Sequence, residues 1–213
     1  MGTIISIEGT WEYGETRHAD GLFRYLSENH RDMQIGNISF PRRHKKSSLF
    51  AQDYLSGQFG KDLDSINPYL VEQFFALDRA LSAMPDKDQL SWKEVYDNGG
   101  TIIMNHYTDS IFITAMAKIP EEEWEYFIDW VLDFENNRLR LPEPDVVIYL
   151  DMPVEAQVIH SLNPEMDQRR RKAGLYAAEQ LDYKIISCME GKDIKPAEQI
   201  HAEVCSIAEE VLR

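Results

Sequence analysis

The sequence is poor in cysteine, in cations and in long apolar runs. Its two cysteines, Cys188 and Cys205, show no metal-type pairing, so a reduced, cytoplasmic setting is expected. No apolar run approaches the roughly 20 residues that a membrane span needs, so no membrane partner is expected. A basic start followed by a long apolar stretch is missing as well, and strand-like residues begin at Thr3, so no signal peptide is expected. Lys and Arg together number 22 against 37 Asp and Glu, a formal net charge of −15. That shortage of cations argues against a general nucleic-acid binder, which needs them to displace counterions from phosphates. There is no internal repeat and no low-complexity segment.

What is present is ordinary for a globular domain: 43% hydrophobic and 28% charged residues. The 213 residues suffice for one α/β domain with a sizeable core and a small lid. Apolar runs at Thr3–Ile7, Gln34–Phe40, Thr101–Met104, Asp145–Leu150 and Lys184–Ser187 predict five strands. Between them, helical spacing predicts helices from about Thr16, over Ser47–Leu55 and Pro68–Leu81, from near Asp109, and over Glu121–Phe134 and Pro196–Leu212. Strands alternating with helices imply a mostly parallel sheet covered on both faces. Two basic clusters, Arg42-Arg43-His44-Lys45-Lys46 and Arg169-Arg170-Arg171-Lys172, are the visible places where an anion could be held against the acidic field, and each also fits a solvated surface.

A buried strand, a glycine turn and a helix start together make a geometry that can cradle phosphate. Here the segment is Glu8-Gly9-Thr10-Trp11-Glu12-Tyr13-Gly14-Glu15-Thr16. Gly9 and Gly14 have the spacing of G-x-x-x-x-G-K-S/T, but the lysine position holds Glu15, while Thr16 keeps the hydroxyl that could touch a magnesium ion. The same pattern also fits an ordinary strand-to-helix turn. The substitution matters physically: an ammonium ~4 Å from a phosphate charge is worth roughly 4 kcal/mol at an effective dielectric near 20, and glutamate reverses the sign. Trp11 and Tyr13 add bulk where small residues let the backbone approach a phosphate.

Other segments resemble the thymidylate kinase family, in order and over nearly the whole chain. Ile7-Glu8-Gly9 resembles the start of its phosphate loop. Phe40-Pro41-Arg42-Arg43, followed by Asp53-Tyr54-Leu55, resembles its FP-x-R segment; Phe75-Ala76-Leu77-Asp78-Arg79 its F-A-x-D-R helix; and Pro144–Pro153 its strand toward the lid. The resemblance implies a three-layer α/β/α P-loop fold with about five mostly parallel strands. It implies a single domain over residues 1–213, a lid at about 156–172 and a homodimer. It further implies ATP-dependent phosphorylation of dTMP to dTDP in dTTP synthesis, with Mg2+ and ATP as cofactors. By resemblance, Phe40 and Pro41 belong to the acceptor pocket and Arg43 holds the acceptor phosphate by a bidentate guanidinium contact. Phe75 stacks on the thymine, Arg79 bonds the base edge, Tyr107 lies under the deoxyribose and Ser110 lies nearby.

The departures from the family pattern fall together. Asn105-His106-Tyr107 stands where the family has Asp-Arg-Tyr, Glu15 replaces the lysine, and Trp11 stands where an aspartate is common. Thr16 remains as a weak magnesium candidate, and Arg169 and Arg170 of the lid, with Arg171, could supply part of the missing charge. Phosphoryl transfer is mainly positioning and charge stabilisation, so losses on the donor side bear directly on activity. Two functions follow: a dTMP kinase, or a non-catalytic homologue that binds a thymidine nucleotide and could pair with an active kinase. A third, a kinase with a changed substrate or donor, has no residue that points to it.

Overall fold

The computed structural model describes residues 1–9, 14–85, 87, 89–156 and 163–213. Five parallel strands form one sheet: β1 (Thr3–Gly9), β2 (Ile35–Ser39), β3 (Thr101–Asn105), β4 (Val146–Asp151) and β5 (Lys184–Ser187), in the order β2-β3-β1-β4-β5. The register pairs Ile5 with Ile103 on one side and Val146 on the other. β1 and β4 are buried on both faces because both are covered, which is why they read as nearly continuous apolar runs. α1 (Glu15–Asn29) carries the chain from β1 past the place of β3 to β2, and β4 and β5 then add on the opposite side of β1. The carboxyl ends of β1 and β3 therefore flank the point where the winding changes direction, the usual place for a ligand in such sheets.

On one face, Leu22 and Leu26 of α1 and Ile200 and Val204 of α8 (Ala197–Val211) pack on Ile5, Ile7, Ile148 and Leu150. On the other, Phe112 of α5 (Ser110–Thr114), Trp124 and Phe127 of α6 (Trp124–Leu132), and Ala173 and Ala177 of α7 (Pro164–Gln180) gather around Val147 and Tyr149. This is the expected three-layer α/β/α architecture with five strands. Between β2 and β3 the chain forms α2 (Leu49–Leu55), α3 (Pro68–Ala83) and α4 (Trp92–Asp97). Asn67 caps α3 by accepting the Tyr69 N–H, and Pro68 opens its first turn. A small antiparallel hairpin, β6 (Met189–Glu190) and β7 (Asp193–Ile194), precedes α8.

Three local differences from the sequence reading have physical causes. α4 is six residues long, too short for a periodicity; its signal is the capping box of Ser91 and Glu94, which is fully formed. The amphipathic stretch Glu121–Phe134 is divided into a 3-10 turn (Glu121–Glu123), α6 and a π-helical turn (Asp133–Arg138). The lid expectation covers residues 157–162, which lie outside the described residues, while 164–172 form the first part of α7. α7 has no strong apolar stripe; small residues, Ala173, Gly174 and Ala177, let it approach the sheet.

That approach sets a testable packing limit. A Cβ at Gly174 would sit 2.6 Å from the Tyr149 hydroxyl, which is buried without a hydrogen-bond partner among the described residues. Gly174→Ala is expected to destabilise the fold by about 1–3 kcal/mol, and Tyr149→Phe to stabilise it by roughly 1 kcal/mol. Both would be read as shifts of the denaturation midpoint at constant slope.

Candidate functional site

A cavity of about 880 Å³ opens at the carboxyl ends of β1, β2 and β3. It brings together Gly9, Gly14, Glu15, Thr16, Phe40, Pro41, Arg43, Phe75, Arg79, Asn105, His106 and Ser110. Arg42 and Lys45 of the first basic cluster and Leu55 share this wall, together with Asn37, which no sequence motif marks. Trp11 lies outside the described residues.

Gly14, at φ +72°, caps α1 from the left-handed region, which a residue without Cβ adopts at no steric cost. Glu15 follows as the first helical residue and is 2% exposed. Its carboxylate folds back against the end of β1, so close that a Cβ at Gly9 would collide with Oε1 and lie 3.0 Å from the carboxyl carbon. Glu15 thus sits in the first turn of α1, where unsatisfied backbone N–H groups and the helix dipole favour an anion.

Behind Glu15, Asn105 donates from Nδ2 to Thr16 Oγ1 at 2.8 Å and to Ser39 Oγ at 3.3 Å. The Thr16 hydroxyl is engaged by an amide where a metal would need an anionic neighbour. Among the described residues no group of three His, Cys, Asp or Glu side chains could hold a metal ion. Among the described residues, the Thr16–Asn105 pair itself offers a magnesium ion no carboxylate.

Glu8, to which the sequence motifs assign no role, organises the turn after β3. It is fully buried and accepts from Ser6 Oγ and the Tyr107 N–H at 2.8 Å and from Ser110 Oγ at 2.5 Å. His106 Nδ1 lies 3.1 Å from Ser110 Oγ and 3.8 Å from Glu8 Oε2. One residue past Ser110's neighbour Ile111, α5 turns its apolar side into the core, so Ser110 faces the cavity and Phe112 does not.

The acceptor side keeps its loop. Asp78, buried on α3, accepts the Arg42 N–H at 2.6 Å and Ser47 Oγ at 2.5 Å, which ties the 42–47 segment to the helix and sets exposed Arg43 at the cavity rim. Phe75 is half-buried, in an edge contact with Tyr54 at 6.0 Å.

Five residues singled out in the sequence have polar groups engaged within the chain. Arg79 borders the cavity but is 1% exposed; its Nε and Nη2 donate to Glu72 at 2.9 Å and to both oxygens of Glu135, and its Nη1 reaches the Tyr107 carbonyl at 3.5 Å. Burial opposes its charge, but Glu135 and Glu72 outweigh that and hold the guanidinium more firmly protonated than usual. Burial also opposes ionisation of Glu135, which Arg79 nevertheless keeps below the ordinary carboxylate value, whereas burial and the charge of Glu135 push Glu72 well above it. Tyr107 is not on the wall: it is fully buried against Phe40 and Trp92 and donates its hydroxyl to the Pro142 carbonyl at 3.0 Å. Arg169 donates to the carbonyls of Ala117 and Ile119. Arg170 pairs with Asp167 at 2.7 Å and Asp64 at 3.1 Å, and neither arginine lines the cavity. Arg171 is likewise bidentate on Asp151.

The Arg79 cluster makes a prediction. Arg79→Met leaves a buried carboxylate without its cation and is expected to cost about 3–5 kcal/mol at neutral pH. Because Arg79 holds the folded-state value of Glu135 below its unfolded one, this stabilisation is present above the ordinary carboxylate range and is lost as pH falls through it. The gap between variant and wild type in chemical denaturation should therefore narrow in acid.

No protein-family model matches the chain, and no curated protein matches it in sequence. Solved structures do. The chain is similar to the thymidylate kinase of Candida albicans, at 19% identity over 98% of this chain and 92% of that one, with a TM-score of 0.67. It is equally similar to the thymidylate kinase of Ehrlichia chaffeensis, at 18% identity over 97% and 98% of the two chains, also with a TM-score of 0.67. At these identities the likeness is one of fold: the chain has the fold of thymidylate kinases.

Proposed function

We propose that this chain is a thymidylate-kinase-like protein that binds dTMP, or a related thymidine nucleotide, and does not run an efficient ATP-dependent phosphotransfer. The observation that carries this reading is the position of Glu15: its carboxylate lies against Gly9 at the head of α1, where a donor phosphate would need to sit. A phosphate brought there meets like charge in a dry setting. The acceptor half lacks that obstacle. There Arg43 would take the phosphate, with Arg42 and Lys45 beside it, Phe75 would stack on the base, and Phe40, Pro41 and Ser110 would border the sugar.

The second reading is the active enzyme: phosphorylation of dTMP to dTDP with MgATP, for dTTP synthesis in the cytoplasm. It is favoured by Thr16, which keeps a hydroxyl at the first turn of α1, and by the intact Phe40–Arg43 loop. Its lid would be residues 156–172 of a single domain.

Calorimetry decides between them. Titration of dTMP should give heat and saturation, MgATP should give neither, and a coupled assay with both should stay at background. MgATP affinity or turnover like that of an ordinary kinase would establish the second reading. In the triple variant Glu15→Lys, Asn105→Asp, His106→Arg, MgATP binding is expected to appear, because the charge at the head of α1 is inverted and a carboxylate joins Thr16.

Homodimer formation belongs to the same proposal. Phe50 of α2 and Leu70 and Leu77 of α3 are exposed and line an apolar hollow of about 300 Å³ with Phe74, Phe134 and Leu139. A contiguous apolar patch of this kind marks an interaction surface. Sedimentation should give twice the chain mass for the wild type and the chain mass for Leu77→Glu; a monomeric wild type at micromolar concentration overturns the dimer.

A further inference from the structure

β3 ends at Asn105, and the next residue, His106, takes φ +60°, a left-handed conformation that a non-glycine residue keeps only where its surroundings hold it. Those surroundings are the Glu8 carboxylate and what it binds. Glu8 accepts the N–H of Tyr107 immediately after the strained residue and the hydroxyl of Ser110 one turn later, and Ser110 in turn meets the ring at Nδ1. Every hydrogen-bond donor found on Glu8 among the described residues is neutral, so this buried carboxylate has no fixed cation in its hydrogen bonds. The group beside it that can become one is His106, with Nδ1 3.8 Å from Oε2 and a side chain 38% exposed on the cavity wall.

We propose that His106, seated on Glu8 and Ser110, reads the charge of the ligand's phosphate: its protonated ring donates to a phosphate monoester held in the acceptor half, so binding takes up a proton and weakens as pH rises. The proposal rests on the nucleotide reading given above and adds to it a pH-dependent contact. Among the described residues, two sets of charges face the ring. Glu8 below it and Glu15 on the same wall favour the cation. Arg42, Arg43 and Lys45 across the cavity oppose it, while Arg79 is offset by its own two glutamates. A phosphate dianion between His106 and the three outer cations removes the opposition, which couples proton uptake to ligand binding. Asp109, on the same turn, is a separate titrating group: burial, with the charge of Glu8, raises it to about 7.

The test is calorimetric titration of the full chain with dTMP from about pH 6.5 to about pH 8.5, above the second ionisation of the phosphate near 6. Wild-type affinity should fall about tenfold over this range, the worth of one charge-assisted hydrogen bond. His106→Arg should hold the tighter value throughout, and His106→Gln the weaker one, while thymidine, without a phosphate, should bind all three alike. The series is repeated in Asp109→Asn. The same fall in His106→Gln, or its disappearance in Asp109→Asn alone, overturns the proposal. Should dTMP bind at no pH, the nucleotide reading fails, and His106 is judged with inorganic phosphate: an upward move of the midpoint of its ring NMR signal supports the inference, and an unmoved midpoint overturns it.

Discussion

The head of α1 is the place where this fold gathers positive potential: the helix dipole and the unsatisfied N–H groups of the first turn point there from the end of the central strand. Glu15 brings a covalently attached carboxylate into that first turn, against Gly9. A side chain at Gly9 would push the Glu15 carboxyl group out of its place. Thr16, next along the helix, has its hydroxyl bonded by the amide of Asn105 rather than facing a carboxylate. On the proposed reading, an external phosphate has to displace this internal carboxylate as well as overcome its charge.

The same substitution of internal for external charge recurs across the molecule. With 37 acidic residues against 22 Lys and Arg, the chain has carboxylates to spare, and many cations that could have served a ligand are held by them. Arg79 lies between Glu72 and Glu135, Arg170 between Asp64 and Asp167, and Arg171 on Asp151. At the cavity rim, Arg42, Arg43 and Lys45 remain, and they stand together on the segment that Asp78 fixes through two hydrogen bonds. The cavity is thereby divided electrostatically, acidic at the head of α1 and basic at the loop after β2. One anionic ligand of monophosphate size matches that division better than two nucleotides sharing four or more phosphates.

The sheet was legible in the sequence because burial on both faces leaves nearly continuous apolar runs such as those of β1 and β4, and α3 was legible from its spacing and from Pro68. α4 was not, since six residues hold less than two turns, and neither was the helical nature of 164–180, whose contact face is made of small residues among charged ones. Of the site, the charge reversal at Glu15 and the retained Phe40–Arg43 loop could be read from residue type and position. The partners of Arg79 could not. Glu72 is seven residues away on the same helix, but Glu135 is 56 residues away in a π-helical turn, and no local pattern signals that meeting. A short motif transmits the residue and its place, while its donors are assigned by whatever carboxylate the fold brings closest.

Glu8 illustrates the opposite case, a residue with an unremarkable position in the sequence and a central one in space. It sits in the register position opposite Tyr149, near the carboxyl end of β1, so its side chain enters the layer between the sheet and the turn after β3. A carboxylate buried there must find donors, and the turn supplies them: the Tyr107 amide and the Ser110 hydroxyl, with His106 held between. Removing any of these would leave charge in an apolar setting, which is far costlier than losing a surface contact. The need to satisfy one buried anion therefore fixes the geometry of the turn, and the turn fixes which side chain looks into the cavity from β3. In this chain that side chain is an imidazole, whose charge depends on what lies opposite it.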